Sequence, residues 1–294
     1  MKMQVIIAKN SGLCYGVKRA LRMAIETRKH KKQNIFSFGD LIHNPQVIAD
    51  LEQQGIHSIN DLDKIDTGPI IIRSHGVSPR IYRYLQKKNI EIVDATCPIV
   101  KKIQKLVEAL AARGDEIIIV GNKEHPEIKG LIGYSAGKGI IIEKERQARA
   151  LPSKKRRAVL AQSTQDPYLF KAVVNALIEK TKELEIFNTI CQSTQTRQKS
   201  ASELASLVDT LFIIGGKNSS NTQKLYQISK RILPHTYFIE KAEQITPDMV
   251  KGAKKVGLSG GASTPPEAIE RAVAKIKSSC QRHSQTEKRV QCQN

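Results

Sequence analysis

Three cysteines, Cys14, Cys97 and Cys191, stand 24 or 25 residues ahead of a glycine that ends an apolar run, and this spacing divides the chain into three similar parts. The glycines are Gly39, Gly121 and Gly215, and each opens a polar loop: GDLIHNP, GNKEHPE and GGKNSSN. A second polar loop follows in each part, RSHGVSP around His75, AQSTQ around Ser163 and LSGGASTPP through Ser263. A fold built from such a chain has to present one thiol and two polar loops three times over. Three thiolates converging on a threefold axis would bind a metal centre and leave one coordination position without a protein ligand.

Short apolar runs alternate with helical patterns throughout, which predicts an α/β fold with mostly parallel strands. Strands are expected at 4–8, 35–38, 70–73, 91–93, 116–120, 158–161, 210–214 and 255–258, and helices at 16–28, 99–113, 166–182 and 196–208. The order strand, glycine, polar loop, helix puts the loops at the carboxyl ends of strands, where open α/β sheets bind their ligands. The expected division is three small α/β domains, 1–96 with Cys14, 97–189 with Cys97 and 190–276 with Cys191. The polar stretch 277–294 lacks periodicity and reads as a flexible basic tail, its Cys280 and Cys292 uninvolved.

The formal charge of +20 is partly clustered, at Lys29–Lys32 around His30 and at Lys154–Arg157. Nucleic acid is the obvious partner for such a chain, but tryptophan is absent, aromatic residues make up only 4%, and no nucleic-acid motif is present. The charge therefore reads as a solvated basic surface, or as one that attracts an acidic electron donor or an anionic substrate. No apolar stretch approaches membrane-spanning length, so no membrane partner is expected. The N-terminal MKMQVIIAKN reads as a first strand rather than a signal, and a cytoplasmic location follows as the default. Thiols stay reduced there, and five cysteines, an odd number, argue against a disulfide framework.

Each repeated cysteine stands just before a helical pattern: CYGVKRAL, CPIVKKIQKL and CQSTQTRQKSASEL. A helix N-terminus favours the thiolate, and basic residues one turn on favour it further. A single such cysteine reads as a small buried hydrophobe; three at equivalent positions read as ligands. Zinc sites favour CxxC pairs, and none occurs here. Three isolated soft ligands suit an iron–sulfur cluster better.

His43, His75 and His125 fall in three of the polar loops, and Ser219, Ser220, Asn221 and Ser263 fall in two others. Imidazoles, hydroxyls, an amide and backbone N–H groups together suit a phosphate or diphosphate. No GxxxxGK[ST] or GxGxxG motif points to a nucleotide. Glu127 in EHPEIKG is the candidate general acid, with Glu124 on the same loop as the competitor.

Eight blocks, GLCYGVKRA, GDLIHNPQV, RSHGVSP, DATCPIVKK, GNKEHPEIKG, NTICQSTQTRQ, GGKNSSNTQKL and GGAS, occur in the order found in the 4-hydroxy-3-methylbut-2-enyl diphosphate reductases. The chain resembles that family, the last enzymes of the non-mevalonate isoprenoid pathway, from about Gln4 to Lys275. The resemblance implies a trefoil of three α/β domains around one oxygen-sensitive 4Fe–4S cluster. Cys14, Cys97 and Cys191 would ligate it and leave one iron without a protein ligand. His43, His75, His125, Ser219, Ser220, Asn221 and Ser263 would hold the diphosphate, and Glu127 would relay a proton to the departing hydroxyl. A Gln-Thr-Thr pattern of typical members is Gln162-Ser163-Thr164 here, so the substrate-contacting threonine position falls on Ser163, with Thr164 as the alternative. The usual GFCxGV and AGAS read GLCYGV and GGAS, which keeps the functional atoms. The implied reaction is a reductive dehydroxylation giving isopentenyl and dimethylallyl diphosphate, with electrons from a ferredoxin or flavodoxin. A non-redox iron–sulfur dehydratase and an inactive cluster-bearing sensor are the competing readings.

Overall fold

The computed structural model describes residues 3–31, 34–64 and 68–291, with side chains as far as 279. Its strands form three four-stranded, all-parallel sheets. The first strand, β1 (Gln4–Ile7), lies beside the last, β12 (Lys255–Gly260). One sheet has the order β3-β2-β4-β5, from β2 (Ile35–Phe38), β3 (Ile56–Ile59), β4 (Ile70–Ile72) and β5 (Ile92–Asp94). The next has β7-β6-β8-β9, from β6 (Glu116–Val120), β7 (Ile140–Ile142), β8 (Lys154–Ala161) and β9 (Thr181–Phe187). The third completes the pattern as β11-β10-β12-β1, with β10 (Thr210–Ile214) and β11 (Thr236–Ile239).

The three orders are equivalent, and the strand that ends each sheet leads into a repeated cysteine. Grouping by chain order assigned β1 to the first repeat; its pairing puts it in the third sheet instead. The reason is register in the repeat: the segment before each cysteine is always a fourth strand, and the C-terminal sheet takes its own from the N-terminus. Runs such as Ile70–Ile72, Ile117–Val120 and Leu211–Ile214 are buried throughout, as parallel strands covered on both faces require. The repeat extends to backbone bonds. Gly39, Gly121 and Gly215 each donate N–H to the last residue of the neighbouring edge strand, Ile59, Ile142 and Ile239 (2.6, 3.0 and 3.0 Å).

Among the described residues, α2 (Pro45–Gln53), α3 (Pro79–Lys87), α4 (Pro98–Ala112), α5 (Pro126–Tyr134), α7 (Pro167–Ile178) and α10 (Pro266–Gln291) begin with proline. Proline at a first helical position loses no hydrogen bond and presets the backbone. The others are α1 (Tyr15–His30), α6 (Glu145–Arg149), α8 (Gln192–Ala205) and α9 (Ser220–Ile232). The expected helix 166–182 stops at Ile178, and its last residues enter β9. The tail expected from Lys277 instead continues α10 to Gln291. No glycine or proline interrupts it, and its Gln, Arg, Lys and Glu residues are good helix formers even without an apolar stripe. Lys32 and Cys292 lie outside the described residues, as does the side chain of Cys280. No helix of the described residues is long and apolar enough to cross a membrane.

The chain forms two compact units. One comprises Met1–Cys14, His43–Pro45 and Gln192–Asn294; the other comprises Tyr15–Ile42 and Gln46–Cys191. Inside the second, α5 packs against the loop after His75. Gly133 lies so close that a Cβ there would meet Ser78 Cβ at 2.4 Å, and Gly130 faces Val77. Small residues one turn apart thus let the helix that begins after His125 approach the His75 loop.

One basic cluster turns out to be partly interior. The Arg157 side chain is fully buried, donating Nε to Glu116 (2.5 Å), Nη1 to Lys180 O and Thr181 Oγ1 (both 3.1 Å) and Nη2 to Pro152 O (2.7 Å). Its neighbour Arg156 pairs with Asp115 and Glu185 (3.1 and 2.9 Å). Arg157→Met would remove the guanidinium from Pro152 O, Thr181 Oγ1 and the half-buried Glu116 carboxylate, while Lys180 O keeps the Lys154 N–H (2.9 Å) and Glu116 keeps the Lys154 ammonium (3.6 Å). The expected loss is about 2–4 kcal/mol of unfolding free energy, read by urea denaturation.

Candidate active site

Each repeated cysteine is half-buried, outside any disulfide, and immediately precedes a helix: α1, α4 or α8. Each backbone amide is tied to the second polar loop of its sheet. Cys14 N–H donates to Ala262 O (3.0 Å), Cys97 N–H to Ser74 O (2.9 Å) and Cys191 N–H to Ser163 O (2.9 Å). The three bonds are the same bond in three copies. This donor set of three thiols, each at a helix N-terminus and anchored by its amide, fits a soft-metal or iron–sulfur centre.

In the larger unit, His125 caps α5, its Nδ1 accepting the Glu127 N–H at 3.2 Å. That bond leaves Nε2 as the protonated nitrogen of the neutral ring. The His75 and His125 rings meet edge to face, 5.4 Å between centroids. One residue into the helix, Glu127 is only 2% exposed, and both its oxygens engage Ser163. Oε1 accepts the Ser163 N–H at 2.7 Å and Oε2 the Ser163 hydroxyl at 2.6 Å. Burial raises the carboxyl above its ordinary value, and the two bonds from Ser163 offset only part of that. Glu124 is exposed and paired with Lys129 at 2.8 Å, which holds its carboxyl below the ordinary range. Of the two carboxyls, Glu127 alone has the environment of a proton donor.

Gln162, 1% exposed, joins the two polar loops of this sheet. Its Oε1 accepts the Asn122 N–H (3.0 Å) and its Nε2 donates to Thr164 Oγ1 (2.8 Å). Thr164 therefore faces Gln162 while Ser163 faces Glu127. The raised Glu127 value has a stability consequence whose sign follows from linkage. The protonated form favours the folded state, fully so below the ordinary 4.5, and that stabilisation is lost as pH rises through the higher folded value. Wild type is expected to lose denaturant stability relative to Glu127→Gln as pH climbs through that window; parallel curves would contradict the burial argument.

The smaller unit carries the other polar groups. Ser219 caps α9, its Oγ accepting the Thr222 N–H at 3.4 Å, and Ser220 opens the helix. Asn221 is 3% exposed, yet neither amide atom has a hydrogen-bond partner among the described residues. A buried amide with both ends unsatisfied, on the first turn of a helix, suits a polar, anionic ligand. Ser263 Oγ donates to His43 O (2.9 Å), and Asn44 Nδ2 donates to Ser263 O (2.8 Å). A Cβ on Gly216 would meet His43 O at 2.8 Å, so glycine is what lets the His43 segment lie there. Arg197, 6% exposed, donates to Gly12 O (2.7 Å) and fixes the turn before Cys14.

Thus His75, His125, Glu127, Ser163, Thr164, Cys97 and Cys191 belong to the larger unit, and Cys14, His43, Ser219, Ser220, Asn221 and Ser263 to the smaller. Sequence reasoning had no signal for the Ser163–Glu127 pairing, made across 36 positions, nor for Asn44 and Gln162 as supports. The only hint was that Asn44 lies within GDLIHNP and Gln162 opens the Gln162-Ser163-Thr164 loop.

Residues 5–277 match the family model described as LytB protein. A 4-hydroxy-3-methylbut-2-enyl diphosphate reductase of Caldanaerobacter subterraneus subsp. tengcongensis is 44% identical over 280 residues, covering 94% of this chain and 97% of that protein. The protein of the same name from Aquifex aeolicus is 41% identical over 280 residues, with the same two coverages. A solved (E)-4-hydroxy-3-methyl-but-2-enyl diphosphate reductase, described as the terminal enzyme of the non-mevalonate pathway, superposes with a TM-score of 0.69 at 40% identity. It covers 94% of this chain and 99% of its own. The E-1-hydroxy-2-methyl-but-2-enyl-4-diphosphate reductase of Plasmodium falciparum gives 0.89 at 27% identity, over 93% and 88%. With a family model matched from the first strand into the last helix and relatives above 40% identity along nearly their whole length, the chain belongs to the LytB protein family.

Proposed function

We propose that this protein removes the allylic hydroxyl of (E)-4-hydroxy-3-methylbut-2-enyl diphosphate reductively, yielding isopentenyl and dimethylallyl diphosphate. Relatives named for this reaction match 94% of the chain. Within the structure, the observation that carries the reading is Ser163. Its carbonyl receives the Cys191 amide, while its own N–H and hydroxyl both engage the buried Glu127. One residue therefore links a thiol to an acid.

Cys14, Cys97 and Cys191 would hold one 4Fe–4S cluster, with one iron left without a protein ligand. When bound, the cluster supplies one-electron transfer and a Lewis-acidic iron. The chain's own residues do the rest. The N-terminus of α9, with Ser219, Ser220 and Asn221, takes the diphosphate together with Ser263, His43, His75 and His125. Protonated Glu127 donates to Ser163 Oγ, and the Ser163 hydroxyl passes its own proton to the departing oxygen. Overall, ROH, two protons and two electrons give RH and water. Thr164, held by Gln162, is the alternative hydroxyl at this loop.

The electrons would come from a small acidic carrier, a ferredoxin or flavodoxin. Basic side chains abound on the helices that follow the thiols, including Lys18, Arg22, Lys102 and Lys105, and charge of this kind steers association. With a protein donor the rate is expected to fall as salt rises from low to physiological levels, while a small neutral reductant shows no such fall. Equal salt responses would remove the steering role. The reaction class is tested by the need for reductant: product must form only when one is supplied. Turnover of the same diphosphate without reductant would mark a non-redox dehydratase.

A further inference from the structure

The residue three positions before each repeated cysteine is Ser11, Asp94 or Asn188, and only one of the three is charged. Asp94 ends β5, Asn188 directly follows β9 and Ser11 lies four residues past β1, and each bonds to nearby backbone. Ser11 Oγ donates to Ala8 O (2.9 Å) and accepts the Gly260 N–H (3.2 Å). Asn188 Oδ1 accepts the Ile190 N–H at 3.3 Å. Asp94 Oδ1 accepts the Thr96 N–H at 2.9 Å in the same turn. An Asx turn needs only an acceptor oxygen, as Asn188 demonstrates. The negative charge of Asp94 is surplus to the turn.

Its second oxygen shows where that charge goes. Asp94 Oδ2 accepts the Tyr82 hydroxyl at 3.0 Å and the Lys101 ammonium at 2.7 Å. Burial pushes the Asp94 carboxyl up, but the bonds from Lys101 and Thr96 outweigh it and hold it below its ordinary range. Burial keeps the Tyr82 phenol protonated and hence a donor. Lys101 is the fourth residue after Cys97, and its N–H closes the first turn of α4 on the Cys97 carbonyl (3.0 Å). Residues four apart share a helix face, with Cβ atoms about 5–6 Å apart. Without Asp94, the Lys101 ammonium, on a side chain 42% exposed and one turn along the chain from Cys97, would have only solvent to screen it. The segment is braced from the other side as well, where Arg19 Nη1 donates to Thr96 O (3.2 Å).

We propose that Asp94 is a positioning residue for the Cys97 corner: it binds the Lys101 ammonium and so keeps a full positive charge from acting on the cluster that Cys97 ligates. This rests on the reading of Cys97 as a ligand. A cation near the cluster favours its reduced form. Asp94→Asn keeps the Asx turn, as Asn188 does, but releases Lys101, so the midpoint potential of the reconstituted protein should rise. A unit charge one turn away shifts the reduction equilibrium by roughly tenfold at a dielectric between those of protein and water. Lys101→Met removes the cation and leaves the carboxylate, so the potential should fall. The double variant should return close to wild type.

The test is a spectroelectrochemical titration of the four proteins, with iron content and thermal unfolding measured alongside. Opposite shifts that cancel in the double variant support the inference. An unmoved potential in Asp94→Asn, or shifts of the same sign in both single variants, overturns it, since loosening of the loop would move both alike. If Asp94→Asn loads less iron, Lys101→Met carries the test alone, and no fall there overturns the inference. Failure of the ligand reading looks different: Cys97→Ser would then retain a full cluster whatever Asp94 does.

Discussion

Glu127→Gln is expected to fold and bind iron like the wild type while losing roughly 10²–10⁴-fold in turnover, the usual contribution of a positioned general acid. The substitution is close to isosteric. Glutamine can still accept the Ser163 N–H through its oxygen and donate to Ser163 Oγ through its nitrogen, so both bonds that hold the side chain survive. What it cannot do is release a proton and reload. The carboxyl is suited to that because its burial favours the protonated form, whereas exposed Glu124 is kept ionised by Lys129. Steady-state turnover with a small reductant, beside iron content, separates the two effects. Near-normal turnover with full iron would place the proton donor elsewhere.

The second large effect belongs to the thiols. Cys97→Ser is expected to lose the cluster or hold it in degraded form, because a hydroxyl is a poor substitute for a soft thiolate ligand. Cys14→Ser and Cys191→Ser should behave alike, since all three cysteines occupy the same position in the repeat and make the same amide bond to a polar loop. Cys280→Ser and Cys292→Ser lie outside the repeat and should leave iron content unchanged. Iron and sulfide analysis of the anaerobically purified variants checks this. Full iron in any one of the three repeat variants would break the equivalence on which the assignment stands.

The sequence made the central strands legible because they are continuous apolar runs, buried on both faces. It did not reveal β3, β7, β9 or β11, and every one of these lies at a sheet edge. Edge strands are half-solvated; TKELEIF at β9 carries as many charges as apolar residues, so neither burial nor alternation marks it. The partner of β1 was hidden for another reason. Nothing in a strand's own residues says that it pairs with a segment some 250 positions away.

The site followed the same division. Motif spacing brought out the thiols, the histidines and the serines of the polar loops, since these residue types announce their chemistry. Their supports did not announce themselves. Ser163 looked like a substrate contact, and its double bond to Glu127 depends on how α5 approaches the loop after β8. Arg157 looked like part of a solvated cluster, yet it is interior because its guanidinium meets four acceptors there.

The most direct measurement is anaerobic: protein with a reconstituted cluster, a reduced dye, and (E)-4-hydroxy-3-methylbut-2-enyl diphosphate added to start the reaction. The account predicts dye oxidation that begins on addition, consumes two electrons per substrate, and yields isopentenyl and dimethylallyl diphosphate. An intact cluster with no substrate-dependent oxidation, or product formed without any electrons consumed, would contradict it.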